Sequence, residues 1–215
     1  MAEHSATVTV NAPVHQVYEL YSHFNDYPKF MTFVKEVTYL DDRHSHWVVD
    51  VAGKHEWDAV NEDWVPDRRI GWRSVDGVSN SGRVRFEPLG PQQTRVIVEI
   101  SYEPPQGMLG QLGEALGAGG QFERRLQRDL QHFATMVEQA PAGALDPTSS
   151  TYLFHGDSAA ATGTTTREQD ESMGMSGDTV RTVTGDESVP STTSVLDDPA
   201  LPRVPGTSAA PVDTK

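Results

Sequence analysis

The chain has 215 residues, a formal net charge of -14 and no cysteine. Such a length allows one medium domain with a sizeable core, or two small ones. The charge repels phosphate backbones at long range and sets nucleic acid aside as a partner, while the missing thiols remove disulfides, thiolate zinc sites and a cysteine nucleophile.

In chain order, residues 5–11 place Ala6, Val8 and Val10 between polar neighbours, the period-two pattern of a half-buried strand. Pro13 opens a helix whose Val14, Val17, Tyr18 and Tyr21 recur at three and four, with Asn11 as the expected cap. A second short element, FNDYPKFM, is interrupted by Pro28. Five or six strands then follow, about 33–40, 45–51, 56–65, 70–75, 82–88 and 94–102, separated by Asp-, Gly- and Pro-rich turns. Such short links demand antiparallel pairing, because parallel strands need a crossover.

Alternation also assigns faces. Val84 and Phe86 oppose Arg83 and Arg85, and Val96, Val98, Ile100 and Tyr102 oppose Arg95 and Glu99, so one face is apolar and the other solvated. Trp47, Val49 and Val51 share a face, as do Ile70 and Trp72. Strand 56–65 is ambiguous: Trp57 and Ala59 lie on one side, Val60 and Trp64 on the other.

Pro104 and Pro105 end the last strand, and a long helix is expected over 108–138, with Leu112, Leu116, Leu126, Leu130, Phe133 and Val137 at helical spacing. Its first half carries Gly110, Gly113, Gly117, Gly119 and Gly120, and each interior glycine costs about 0.5–1 kcal/mol relative to alanine. That half should be bent or loosely held, leaving space beneath the sheet. From 141 onward the chain is Ala, Gly, Ser, Thr, Pro and Asp with 11 acidic and 4 basic residues, a composition that reads as a disordered acidic tail. The expected organisation is a domain over 1–140 and a tail over 141–215. In fold class it is α+β: a curved antiparallel sheet of about seven strands wrapped around a long C-terminal helix, with two short helices after the first strand.

These motifs resemble a known family. VYELYSHFNDYPKFM (17–31) followed by FVKEV (33–37) is similar to the opening of the polyketide cyclase/dehydrase and coenzyme-Q-binding START-domain family, within the START-like (SRPBCC) superfamily of helix-grip folds. IGWRSVDG (70–77), SGRVRFEPL (81–89) and TRVIVEISYEPP (94–105) are similar to its cyclase/dehydrase branch. The resemblance covers about residues 3–139. Thr32 departs from it, standing where quinone-binding members tend to carry proline. The resemblance implies a hydrophobic cavity for a lipid, isoprenoid quinone or polyketide-like molecule, without a shared catalytic residue to transfer.

The expected cavity wall is Phe30, Trp47, Val49, Trp72, Phe86, Val98 and Tyr102 from the sheet side, with Leu112 and Leu116 from the helix. Catalysis would need an acid, base or polarising group inside it; the candidates are Arg73, Glu62, Asp58 and Tyr102, with Arg73 or Tyr102 as the group that would polarise a carbonyl, although alternation is compatible with Arg73, Glu62 and Asp58 facing water. His44 and His46 share a strand face with His55 and Glu56 across the next turn, a set able to share a metal, yet they flank an Asp-rich hairpin where solvated histidines are ordinary. No metal and no cofactor is expected. The functional expectation is a binding or carrier protein for a hydrophobic small molecule; a cyclase or dehydratase, and a stress or adaptor protein acting through its acidic tail, are the alternatives. Expected partners are the small molecule, transient membrane contact during loading, and a protein partner for the tail. MAEHSATVTVNAP has no basic segment followed by an apolar run, and no stretch approaches the ~18 apolar residues of a membrane span, so the expected location is cytoplasmic.

Overall fold

The alternating N-terminal segment forms β1 (Ala2–Val10), with each of Ala6, Val8 and Val10 buried between exposed neighbours. In this computed structural model, which describes residues 2–51, 53–103 and 120–172, β1 leads to α1 (Val14–Ser22) and a 3-10 helix (Phe24–Lys29). β2 (Val34–Tyr39), β3 (His44–Asp50), β4 (Lys54–Val65), β5 (Arg69–Gly77), β6 (Asn80–Gly90) and β7 (Gln93–Tyr102) follow, and then α2 (Gln121–Glu138). The seven strands form one antiparallel sheet in the order β1-β7-β6-β5-β4-β3-β2. Apart from β1, which returns to pair with β7, every strand lies beside its sequence neighbours, as short turns require. The α+β helix-grip arrangement anticipated from the motifs is the fold observed.

Two local expectations change. Pro13 occupies the cap position of α1 and no side chain caps it; Asn11 instead donates to the Glu138 carboxylate at 2.8 Å and accepts from Gln93 at 2.8 Å. The ambiguity of β4 is resolved by a register shift between Glu62 and Val65, where Asp63 takes a positive φ of 52°. The shift changes the parity of the strand, so Trp57 and Trp64 both pack against the core although their numbers place them on opposite faces.

α2 runs along β1. His4 Nδ1 meets Glu123 Oε1 at 3.3 Å, Gln127 donates to the Thr7 carbonyl at 2.8 Å, and Glu138 accepts from Asn11. From 4 to 11 a strand advances about 23 Å at ~3.3 Å per residue, and from 123 to 138 a helix advances about the same at ~1.5 Å per residue, so the two elements stay in step. The inner face of α2 buries Phe122, Leu126, Leu130, Phe133 and Val137. Asp129, also buried, accepts from the Thr32 backbone N–H at 2.9 Å and from its hydroxyl, which ties the helix to the end of the 3-10 segment. A proline at 32 has no N–H for that bond, which supplies a physical reason for the Thr32 departure. The expected first half of this helix, with Leu112 and Leu116, falls among 104–119 and lies outside the described residues.

Residues 141–172, which composition alone assigns to the unfolded tail, pack onto α1, the 3-10 helix and β2. Tyr152 and Phe154 are buried, the Phe154 ring stacks on Phe30 at 6.4 Å, and Lys29 Nζ sits 5.1 Å above it. Lys29 bridges the carboxylates of Asp26 and Asp157 at 3.1 Å each, and Asp26 also accepts from the Ala159 N–H at 3.1 Å. Two short helices, α3 (Ala159–Thr162) and α4 (Arg167–Ser172), follow; Gln169 on α4 donates to the Ser22 carbonyl and to the Tyr39 hydroxyl. Two aromatic anchors and a buried carboxylate thus offset the ordering entropy of an otherwise polar segment. Residues 173–215 lie outside the described residues.

At the end of α1, His23 is fully buried and its Nδ1–H donates to the Glu19 carbonyl at 2.7 Å. Burial holds the imidazole down at about 4, and the Glu19 carbonyl and the Asp170 charge only partly oppose that shift. The unfolded histidine takes a proton below about pH 6.5 while the folded one stays neutral until about pH 4, so stability is lost as pH falls across this window. Urea unfolding of His23→Gln from pH 7 to 4 should lose about 3 kcal/mol less stability over that range than the parent chain.

Candidate functional site

Inward positions of the sheet set rings across neighbouring strands. Val37 opposes Trp47, Trp47 opposes Trp57, and across β5 and β6 Trp72 opposes Gly82. Trp47 lies nearly parallel to both of its neighbours: its ring is 5.9 Å from Trp57 with 6° between planes, and 6.4 Å from Trp72 with 15° between planes. Three of the four indoles therefore make one stack. Gly82 permits it, because a Cβ at that position would overlap the six-membered ring of Trp72. The fourth, Trp64, packs edge-on against Phe24 at 5.5 Å and donates to the Gly71 carbonyl at 3.1 Å, a structural role.

Opposite the stack stand side chains of α1, the 3-10 segment and the chain after it, chiefly Tyr21, Tyr27, Met31 and Phe33, with Phe122 from α2. The two sets do not meet everywhere. Between them is a cavity of about 110 Å³, whose wall also includes Val49, Val84, Val98, Ile100 and Tyr102. Among the described residues no Asp, Glu, Lys or Arg lines it. An apolar cavity of about 150 Å³ accommodates benzene, so this space suits one ring or a short chain unless a guest extends through its mouth.

The polar atoms on this wall divide into two groups. Trp47 donates to Ser45 Oγ at 2.8 Å and Trp72 to Asn80 Oδ1 at 3.1 Å, and Tyr27 donates to the Tyr21 carbonyl at 3.0 Å. By contrast the Trp57 indole N–H and His55 Nε2 are buried without a hydrogen-bond partner among the described residues, and the Tyr21 hydroxyl has the Tyr27 hydroxyl as its neighbour. A buried donor left unmade costs about 1–3 kcal/mol, so such groups call for a partner. Burial also pushes the Tyr21 and Tyr27 phenols well above the usual range, which keeps them protonated and able to donate.

Of the residues expected at the site, Trp47, Val49, Trp72, Val98 and Tyr102 are on the cavity wall. Phe30 and Phe86 are buried behind it: Phe30 packs on Phe133 at 4.9 Å, and Phe86 meets Tyr18 and Tyr21 edge-on at 5.5 and 5.8 Å. Arg73 points away from the cavity and pairs with Glu62 on the exposed face. Tyr102 turns inward, with the His4 ring stacked against it at 5.9 Å. The histidines separate: His44 pairs with Asp41 at 2.9 Å and His46 with Asp58 at 2.7 Å, while His55 joins the cavity wall. Among the described residues no group of three or more His, Asp or Glu is arranged to hold a metal ion. Tyr21, Tyr27, Trp57 and Phe122 complete the wall and were missed as site residues. Tyr21 had a signal, since helical spacing places it on the apolar face of α1; Trp57 did not, because the parity shift in β4 is invisible to alternation.

Comparison with known proteins places the chain. Residues 1–138 match the family described as polyketide cyclase / dehydrase and lipid transport, and the chain belongs to that family. It is 30% identical over 141 residues to an uncharacterised 17.2 kDa protein from the melC2-rnhH intergenic region of Streptomyces lincolnensis, covering 65% of this chain and 91% of that protein. A crystal structure from Deinococcus radiodurans is 29% identical with a TM-score of 0.51, covering 64% of this chain and 98% of its own. The Zhui aromatase/cyclase from a Streptomyces species is 24% identical with a TM-score of 0.55, covering 66% of this chain and 98% of its own, a likeness of fold.

The indole stack depends on the missing side chain at 82. Gly82→Ala should displace Trp72, costing about 1–3 kcal/mol as overpacking does; the check is a lower melting temperature together with weakened near-ultraviolet circular dichroism from the indoles.

Proposed function

We propose that this member of the polyketide cyclase / dehydrase and lipid transport family is a binding or carrier protein that shelters a hydrophobic small molecule, and that it does no chemistry on it. The observation that carries this reading is the cavity wall itself: stacked indoles, aliphatic side chains and neutral phenols, with no carboxylate or guanidinium among the described residues. Binding sites for apolar molecules combine such walls with a few convergent polar groups. Here those groups are the Trp57 N–H, which has no partner among the described residues and can donate to a guest oxygen, the Tyr21 hydroxyl beside that of Tyr27, and His55 Nε2. A guest that accepts from them recovers the cost of leaving them unmade.

The cyclase or dehydratase alternative loses Arg73, which faces solvent in its pair with Glu62. It retains Tyr102, since that ring faces the cavity and lies against the His4–Glu123 pair. In that version Tyr102 polarises a carbonyl while His4 holds the ring in place. Among the described residues no helix is long and apolar enough to cross a membrane.

Gently purified protein should yield a bound organic molecule by native mass spectrometry and extraction, and adding it back should quench tryptophan emission. Val98→Phe, which fills the cavity, should abolish both. A chain isolated repeatedly without a guest, or one whose guest survives Val98→Phe, argues against the reading, and conversion of the recovered molecule on incubation favours the cyclase.

A further inference from the structure

We infer that the guest is an amphiphile with a negatively charged end, its apolar part in the cavity and its anion held outside by Arg124, Arg125 and Arg128; this rests on the ligand-binding reading above. Val51 and Phe122 border the apolar cavity and also an open groove along the start of α2, so the two spaces share a boundary. The three arginines line that groove. In a chain with a net charge of -14, this is a local concentration of positive charge at the mouth of an uncharged chamber.

The arginines are not consumed by the fold. Among the described residues none of them has a carboxylate within salt-bridge distance, whereas Arg69, Arg73, Arg83, Arg85 and Arg95 on the sheet are all paired. Arg125 is held in place by neutral acceptors: its Nε donates to Thr32 Oγ1 at 3.0 Å and an Nη to the Asp50 carbonyl at 3.2 Å. Its guanidinium carbon lies 5.7 Å from the centre of the Phe33 ring, and Phe33 is cavity wall. A guanidinium so placed keeps its full charge, fixed where the apolar wall ends. Glu123 is the acidic side chain lining the groove, and it is turned to His4; Asp129, near Arg125 and Arg128, is bound to Thr32 rather than bridged to either.

Size points the same way. The cavity takes about one ring, so the rest of a larger molecule must lie outside it, and the space that shares Val51 and Phe122 with it is the groove lined by guanidinium groups. Carboxylate, sulfate and phosphate ends all satisfy them by charge-assisted hydrogen bonds. At ordinary ionic strength the Debye length is about 8–10 Å, so the groove's own charge outweighs the repulsion of distant carboxylates.

The test is isothermal calorimetry of the full chain in low salt with two probes of matched shape, 4-ethylbenzoate and 4-ethylbenzamide. The benzoate should bind about fivefold or more tighter than the amide, and the advantage should shrink as salt is raised. Arg124→Gln/Arg128→Gln, at two exposed positions, should cut that advantage and leave the amide affinity as it was; adding Arg125→Gln should remove it. Equal binding of the two probes, or a preference that survives the triple variant with its circular dichroism intact, overturns the inference and leaves the cavity reading standing. Failure of both probes to bind overturns the cavity reading as well. Arginine-dependent binding to phosphatidylglycerol vesicles without binding of the benzoate would assign the arginines to a lipid surface and also overturn it.

Discussion

The path of α2 along β1 governs the interior of this protein. Helix and edge strand are fastened by polar contacts at His4–Glu123, Thr7–Gln127 and Asn11–Glu138, so the apolar face of the helix covers the β1 side of the sheet. A helix is only about 10 Å wide and cannot also cover β3, β4 and β5. That part of the concave face is closed by rings: the indoles of Trp47, Trp57 and Trp72 from the sheet, and Tyr21, Tyr27 and Phe33 from the opposite side. Flat, rigid bodies stack well against one another and fill an irregular gap poorly, and the cavity is what they leave.

The polar groups around that gap separate structure from readiness to bind. Where an indole N–H serves the fold, it has a partner, as Trp47 has Ser45 and Trp72 has Asn80. The Trp57 N–H, on the same wall, has none among the described residues. The contrast recurs in charge. Sheet arginines are paired with carboxylates on the solvated face, and those beside the cavity mouth are not. Unmet donors inside and unmet cations outside describe complementary ends of one kind of molecule.

Residues 141–172 add a layer that lies beyond the family match of 1–138. Phe154 covers Phe30, Lys29 pairs with Asp157, and Asp26 accepts from the Ala159 N–H at the start of α3. Since Phe30 also touches Tyr21, Tyr27 and Phe133, this added segment bears on the same aromatic network that backs the cavity. Rigidity of the wall thus depends partly on residues that composition would discard.

The strands, the meander from β2 to β7 and the apolar face were legible because alternation and short polar turns are local properties, and Trp47, Val49, Trp72, Val98 and Tyr102 reached the cavity wall by obeying that alternation; the return of β1 to β7 is nonlocal. Three further features were not legible, each for a nonlocal reason. The parity of β4 depends on a bulge against β5, which brings Trp57 to the same side as Trp64. Phe30 and Phe86 lie on the apolar face yet behind Tyr21, because depth within a core is set by what packs in front. The order of segment 141–172 rests on the Phe154 ring finding Phe30 and Lys29, more than a hundred residues away. By itself the sequence determined which residues turn inward, since side-chain direction follows backbone period; only the tertiary structure decided which of them border empty space, since a void exists only between surfaces brought together from distant parts of the chain.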